Sequence, residues 1–168
     1  LLLVVAQRVQ VTPEFGFGMD GVLRQLGGRL SGILNGADYD RWSPYQDPYL
    51  PAGYGVPPER IADLSERAFA DAMAGKARCK AELQRSLGLA VRRRAPLCAT
   101  VTRLTDQKGI ELILEVLESE EGWRDGMQYV LVGAGEPVYE DRLRALARRH
   151  PGRLAVVIGF DEALSHRV

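Results

Sequence analysis

The sequence predicts an α/β protein whose parallel β-sheet is covered by helices on both faces. Two observations point there. Short apolar runs at Leu97–Val101, Gln128–Val132 and Leu154–Ile158 alternate with longer stretches of helical periodicity. Those runs are continuous rather than alternating, as expected of strands buried on both sides, which is the condition of a parallel sheet.

The amino-terminal part is less regular. Leu1–Ala6 is apolar but far too short to span a bilayer, no basic segment precedes it, and there is no starting Met, so the chain is expected to begin inside a larger protein. Residues 11–58 are rich in Gly, Pro, Tyr and Asp, and Leu30–Leu34 reads as a strand. From Asn35 to Pro58 a long loop is expected, of a length that marks a functional segment or a domain connection. Glu59–Leu87 reads as two helices broken near Gly75, with Gly88 as the carboxyl-terminal cap. After the exposed-looking turn Arg92–Arg94 come strand Leu97–Val101, helix Lys108–Glu120, strand Gln128–Val132, helix Pro137–Arg149, strand Leu154–Ile158 and a last helix opened by Asp161. Pro137 suits a first helical position, and Gly152 marks the following turn. This is the first half of a doubly wound domain.

Composition narrows the function. Hydrophobic residues make up 46% and charged residues 26%, which suits a globular chain, and 22 basic residues balance 22 acidic ones. Neither a nucleic acid nor an anionic membrane is indicated as partner, so any anion site has to be local. Cys79 and Cys98 are too distant for a Cys-x-x-Cys motif, and with only His150 and His166 available no metal site is expected. Reduced thiols in a cytoplasmic protein follow. No Ser–His–Asp or Cys–His set stands out; His150 before Pro151 reads as a helix end, and His166 could face either way. Leu143, Leu146 and Ala147 have core spacing.

One stretch conflicts with helix electrostatics. "TRLTDQKG", Thr102–Gly109, joins the first strand to its helix and places Arg103 and Lys108 at a helix start, where partial positive charge favours acidic side chains. An external anion there would resolve the conflict, receiving backbone N–H groups and both cations. The plain reading is a solvated pair partly neutralised by Asp106. In open parallel sheets ligands sit beyond the carboxyl ends of the strands. The loops occupying that place are Arg103–Gly109, Gly133–Pro137 and Gly159–Asp161. Glycines at 133 and 135 let backbone approach a phosphate, although a strand-to-helix turn needs glycine for geometry alone. A nucleotide diphosphate is the natural candidate.

Several stretches carry a resemblance. They are Thr12–Leu23 ("TPEFGFGMDGVL"), Gly32–Trp42 ("GILNGADYDRW") with Asp47–Pro51, Gly75-Lys76, Lys80, Leu83-Gln84 and Leu87–Leu89, then "TRLTDQKG", "LVGAGEP" and Gly159–Arg167 ("GFDEALSHR"). In this order they resemble the bacterial glycogen synthases and plastid starch synthases across nearly the whole chain. The resemblance implies a GT-B-like architecture of two doubly wound domains facing a cleft. Residues 1–40 would end the first domain, 41–94 would connect, and 95–168 would form the first half of the second, nucleotide-sugar-binding domain. It further implies a retaining transfer of glucose from ADP-glucose to the non-reducing end of an α-1,4-glucan, without metal or other cofactor, in the bacterial cytoplasm or, for a plant-type homologue, the plastid. Arg103 and Lys108 match the basic pair that contacts the donor phosphates; Gln107, Gly133 and Gly135 would border the same site, and Asn35 would be a cleft residue.

There are departures. Thr102 stands where Ser is common, Ala37 where a larger aliphatic is common, "LLLVV" replaces a Ser/Thr-rich stretch, and Pro58–Gly75 matches weakly. The Lys-x-Gly-Gly segment and the later Glu-bearing, glycine-rich segment of the family are absent from these 168 residues, so this chain alone is expected not to catalyse transfer. Rival expectations are a related transferase using UDP-glucose or GDP-mannose, and a non-catalytic nucleotide-binding remnant.

Overall fold

The structure is a computed structural model that describes residues 12–31, 33, 35–57, 59, 61–62 and 65–168. The expectations for 1–11 therefore lie outside the described residues. The chain divides into two units, Leu1–Tyr39 and Asp40–Val168.

In the first unit, helix α1 spans Asp20–Leu26 and runs into a 3-10 turn at Gly27–Arg29. Asp20 and Arg24 pair along it at 2.6 Å. The sequence reading missed this helix: three glycines and no strong apolar periodicity obscure it. The expected strand at 30–34 is corrected in part. Leu30, Ser31 and Ile33 carry no strand, and Gly32 and Leu34 lie outside the described residues.

The second unit begins with a segment that has turns but neither helix nor strand through Pro57. Helix α2, Glu66–Ser86, is capped by Ser65, whose Oγ accepts the Ala68 N–H at 3.2 Å. Two helices broken at Gly75 were expected, and one unbroken helix of 21 residues is found. Gly75 is there for a close contact: a Cβ at this position would stand 2.1 Å from the Gly53 carbonyl oxygen. Gly75→Ala should therefore destabilise the protein by about 1–3 kcal/mol, the usual cost of overpacking, despite the ~1 kcal/mol gain in helix propensity. A thermal melt checks the sign. The cap at Gly88 is as expected. Its φ of 68° is left-handed, its N–H donates to Arg85 O, and the Leu89 N–H reaches back to Gln84 O at 2.8 Å.

Strands β1 (Leu97–Val101), β2 (Gln128–Gly133) and β3 (Leu154–Ile158) form a parallel sheet in the order β1-β2-β3, with Leu97 beside Gln128 and Tyr129 beside Leu154. Helices α3 (Ile110–Glu118) and α4 (Pro137–Arg149) cross over on one face. There Ile110, Leu114, Leu117, Tyr139, Leu143 and Leu146 close over Leu131 and Leu154. On the other face Leu83, Leu89 and Leu164 cover Val130, Val132 and Ala155; Leu164 belongs to the last helix, α5 (Glu162–Arg167). Alternation along β2 sends Leu131 to one core and its two valine neighbours to the other, so this central strand is covered on both faces as predicted, whereas β1, at the sheet edge, leaves Cys98, Ala99 and Val101 exposed. Arg142 ties the crossover helices together through Glu111 and Glu118.

A buried amide pair joins the end of α2 to the start of β2. Gln84 Nε2 donates to Gln128 Oε1 at 2.6 Å and to Arg92 O, while Gln128 Nε2 donates to the carbonyls of Ala90 and Gly152. Gln128→Leu would strand those partners and is expected to cost about 2–4 kcal/mol, read from the urea midpoint. Cys79 and Cys98 are free thiols, the first buried and the second exposed. Among the described residues no helix is long and apolar enough to cross a membrane. Nor is any group of three His, Cys, Asp or Glu placed to hold a metal ion there.

Candidate nucleotide site

The ladder between β1 and β2 continues past the strands. Thr102 N–H donates to Val132 O and Leu104 N–H to Ala134 O, both at 3.0 Å, and Glu136 N–H returns to Leu104 O. Beyond a bend at Thr102, an isolated parallel bridge between Leu104 and Gly135 keeps the two segments side by side. Leu104 is buried in the core and Arg103 is turned out. On that outward side lies a cleft of about 360 Å³, beyond the carboxyl ends of the strands. Arg103, Gly133, Gly159, Phe160 and Ser165 are among its lining.

Of the residues singled out from the sequence, Arg103 and Gly133 line this cleft. Gln107 and Lys108 lie exposed in a 3-10 turn, Asp106–Lys108, just after it. Helix α3 was expected to start at Lys108 and starts at Ile110 instead, because Gly109 takes the left-handed conformation with φ of 68°. Lys108 is therefore ahead of the helix, whose first turn carries Glu111. Neither the Arg103 nor the Lys108 side chain has a hydrogen-bond or ion-pair partner among the described residues, whereas Arg142, Arg144 and Arg153 are all engaged. Asn35 is exposed in the first unit, outside helix or strand.

The two glycines of "VGAGEP" answer first to packing. A Cβ on Gly133 would stand 1.8 Å from Thr102 O, and one on Gly135 would stand 2.1 Å from Leu104 O. The Gly135 N–H is already taken: it donates to Glu140 Oε1 at 3.0 Å, and Arg144 holds the other oxygen of that carboxylate. Glu140 thus neutralises the start of α4 from within the chain.

Phe160 was not singled out in the sequence. It lies at the cleft with 86% of its surface exposed, following Gly159 with φ of 134°. The available signal was an aromatic residue in the loop at a strand's carboxyl end.

No family model matches the chain. Its fold is that of the GT-B glycosyltransferases: it superposes with a TM-score of 0.79 and 29% identity on the catalytic domain of starch synthase IV from Arabidopsis thaliana bound to ADP and acarbose, covering 96% of this chain and 30% of that one. Sequence relatives narrow the class further. The chain is 48% identical over 158 residues to the glycogen synthase of Anaeromyxobacter dehalogenans (strain 2CP-C), across 94% of this chain and 30% of that protein. It is 45% identical over 163 residues to that of Paracidovorax citrulli (strain AAC00-1), across 97% of this chain and 29% of that protein. The chain is thus similar to bacterial glycogen synthases, and it spans about 30% of the length of the relatives it matches.

Proposed function

We propose that this chain supplies part of the donor site of a retaining glucosyltransferase that moves glucose from ADP-glucose to the non-reducing end of an α-1,4-glucan. The observation that carries the reading is an outward-facing Arg103, without a side-chain partner among the described residues, at a cleft beyond the strand ends. Arg103 and Lys108 take the donor's diphosphate. As the bond from glucose to phosphate breaks, negative charge accumulates on the departing ADP, and preplaced cations stabilise that charge more than they stabilise the bound donor. Gln107, Gly133 and Gly135 border the diphosphate. Phe160 offers an exposed aromatic face to the nucleobase.

No metal or other cofactor enters this scheme, since the cations do the work of leaving-group stabilisation. Residues 1–40 end the first transferase domain, 41–94 connect, and 95–168 begin the nucleotide-sugar domain. The enzyme acts in the cytoplasm, and transfer requires the rest of the synthase chain.

The test is the initial rate of glucose incorporation into glycogen by the complete synthase chain, with ADP-glucose compared with UDP-glucose and GDP-mannose. Preference for ADP-glucose is expected. Preference for another donor would reassign the substrate. ADP binding by the complete chain without transfer from any of the three would leave a nucleotide-binding protein.

A further inference from the structure

Helix α5 is short, and it buries only Leu164 and His166. Leu164 enters the apolar core, but His166 turns to the segment that begins the second unit. Its ring lies flat on Trp42, with centroids 3.7 Å apart and planes 4° from parallel, and Tyr49 closes the side at 4.8 Å. His166 Nδ1 is 2.6 Å from Asp47 Oδ2, and the two side chains are 0% and 4% exposed. The other Asp47 oxygen accepts the Tyr49 N–H at 2.9 Å. Arg41 also pairs with Glu162, at the start of the helix.

An ionised carboxylate only accepts, so Nδ1 donates. A buried pair of this kind adds little stability over apolar residues of the same volume, because desolvation offsets its attraction. What it adds is direction. A hydrogen bond and a flat ring stack fix the rotation of a helix in a way that an apolar contact does not. That rotation matters because two lining residues of the cleft sit on or beside α5: Ser165 precedes His166, and Phe160 immediately precedes the helix cap Asp161.

We propose that Asp47 and His166 are positioning residues for the nucleotide site, holding α5 at the rotation that presents Phe160 and Ser165 to the cleft beside Arg103. The segment around Trp42, Asp47 and Tyr49 then becomes part of the donor site without lining it. This rests on reading the cleft as the donor site.

The test uses the complete synthase chain, with KM measured separately for ADP-glucose and glycogen. Asp47→Ala should raise the KM for ADP-glucose by about tenfold while the KM for glycogen stays within about twofold, the pattern of lost donor binding. His166→Asn can still donate to Asp47 from nearly the Nδ1 position, and should recover most of the donor affinity. A folded Asp47→Ala enzyme with an unchanged donor KM, or with both KM values raised alike, overturns the proposal. If Asp47→Ala gives no folded enzyme, His166→Phe, which keeps a flat ring for Trp42 but cannot bond to Asp47, decides on the same criterion. Failure of the underlying site reading is distinguishable, since it would appear as an Arg103→Ala enzyme with unchanged kcat on ADP-glucose.

Discussion

Lys108→Ala in the complete synthase chain is expected to lower kcat for transfer from ADP-glucose by roughly 10²–10³-fold, with a much smaller change in KM. The reason is differential: an ammonium beside the diphosphate is worth most when the leaving group carries its full charge. Arg103→Ala should fall in the same range. The double variant should lose less than the product of the two, because both cations act on one departing group. Lys108→Arg keeps the charge but exchanges a compact ammonium for a planar fork, so partial activity is expected. Steady-state rates at saturating donor and glycogen decide this. A Lys108→Ala enzyme with undiminished kcat would remove the diphosphate from this turn, and with it the only role the exposed turn at Asp106–Lys108 has been given.

Gly133→Ala is expected to abolish the folded state or to cost roughly 4 kcal/mol or more, a loss large enough to need a named cause. The cause is backbone against backbone. The new Cβ would stand 1.8 Å from Thr102 O, in a loop whose position is held by the Thr102 to Val132 hydrogen bond. Neither side can yield without breaking the ladder at the carboxyl edge of β1. Gly135→Ala, at 2.1 Å from Leu104 O, should behave alike. Circular dichroism melts of the variants measure the effect. A Gly133→Ala protein that melts with the wild type would show that the loop absorbs the Cβ, and would return this glycine to a role in ligand approach. A stable variant with weakened ADP binding would make that role specific.

Much of the fold was legible because it is written in short-range terms. The apolar runs at Leu97–Val101 and Leu154–Ile158 are strands with the predicted limits, Pro137–Arg149 is a helix with its proline at the first position, and Asp161 caps the last helix through the Leu164 N–H. Each depends on residues a few places apart, where period, cap and turn chemistry act. The candidate site was legible for a related reason. Arg103 and Lys108 are bracketed by a strand and a helix, so the rule that ligands gather at strand ends could be applied before any coordinates.

What the sequence by itself determined is thus the sheet, its crossover helices, and the loops that meet at one edge, together with kinship to glycogen synthases. Tertiary structure decided the rest. Gly75 reads locally as a break, yet the carbonyl of Gly53 turns it into a packing requirement within one helix. The glycines at 133 and 135 read either as phosphate-approaching or as a geometric need of the turn, and only the carbonyls of Thr102 and Leu104 show what that geometric need is. His166 had no assigned direction until its Nδ1 met Asp47, 119 residues away, and Gln84 met Gln128 across 44 residues. Periodicity describes which face of an element is apolar. It carries no information about which distant polar group will stand opposite, because that partner is set by how the elements pack.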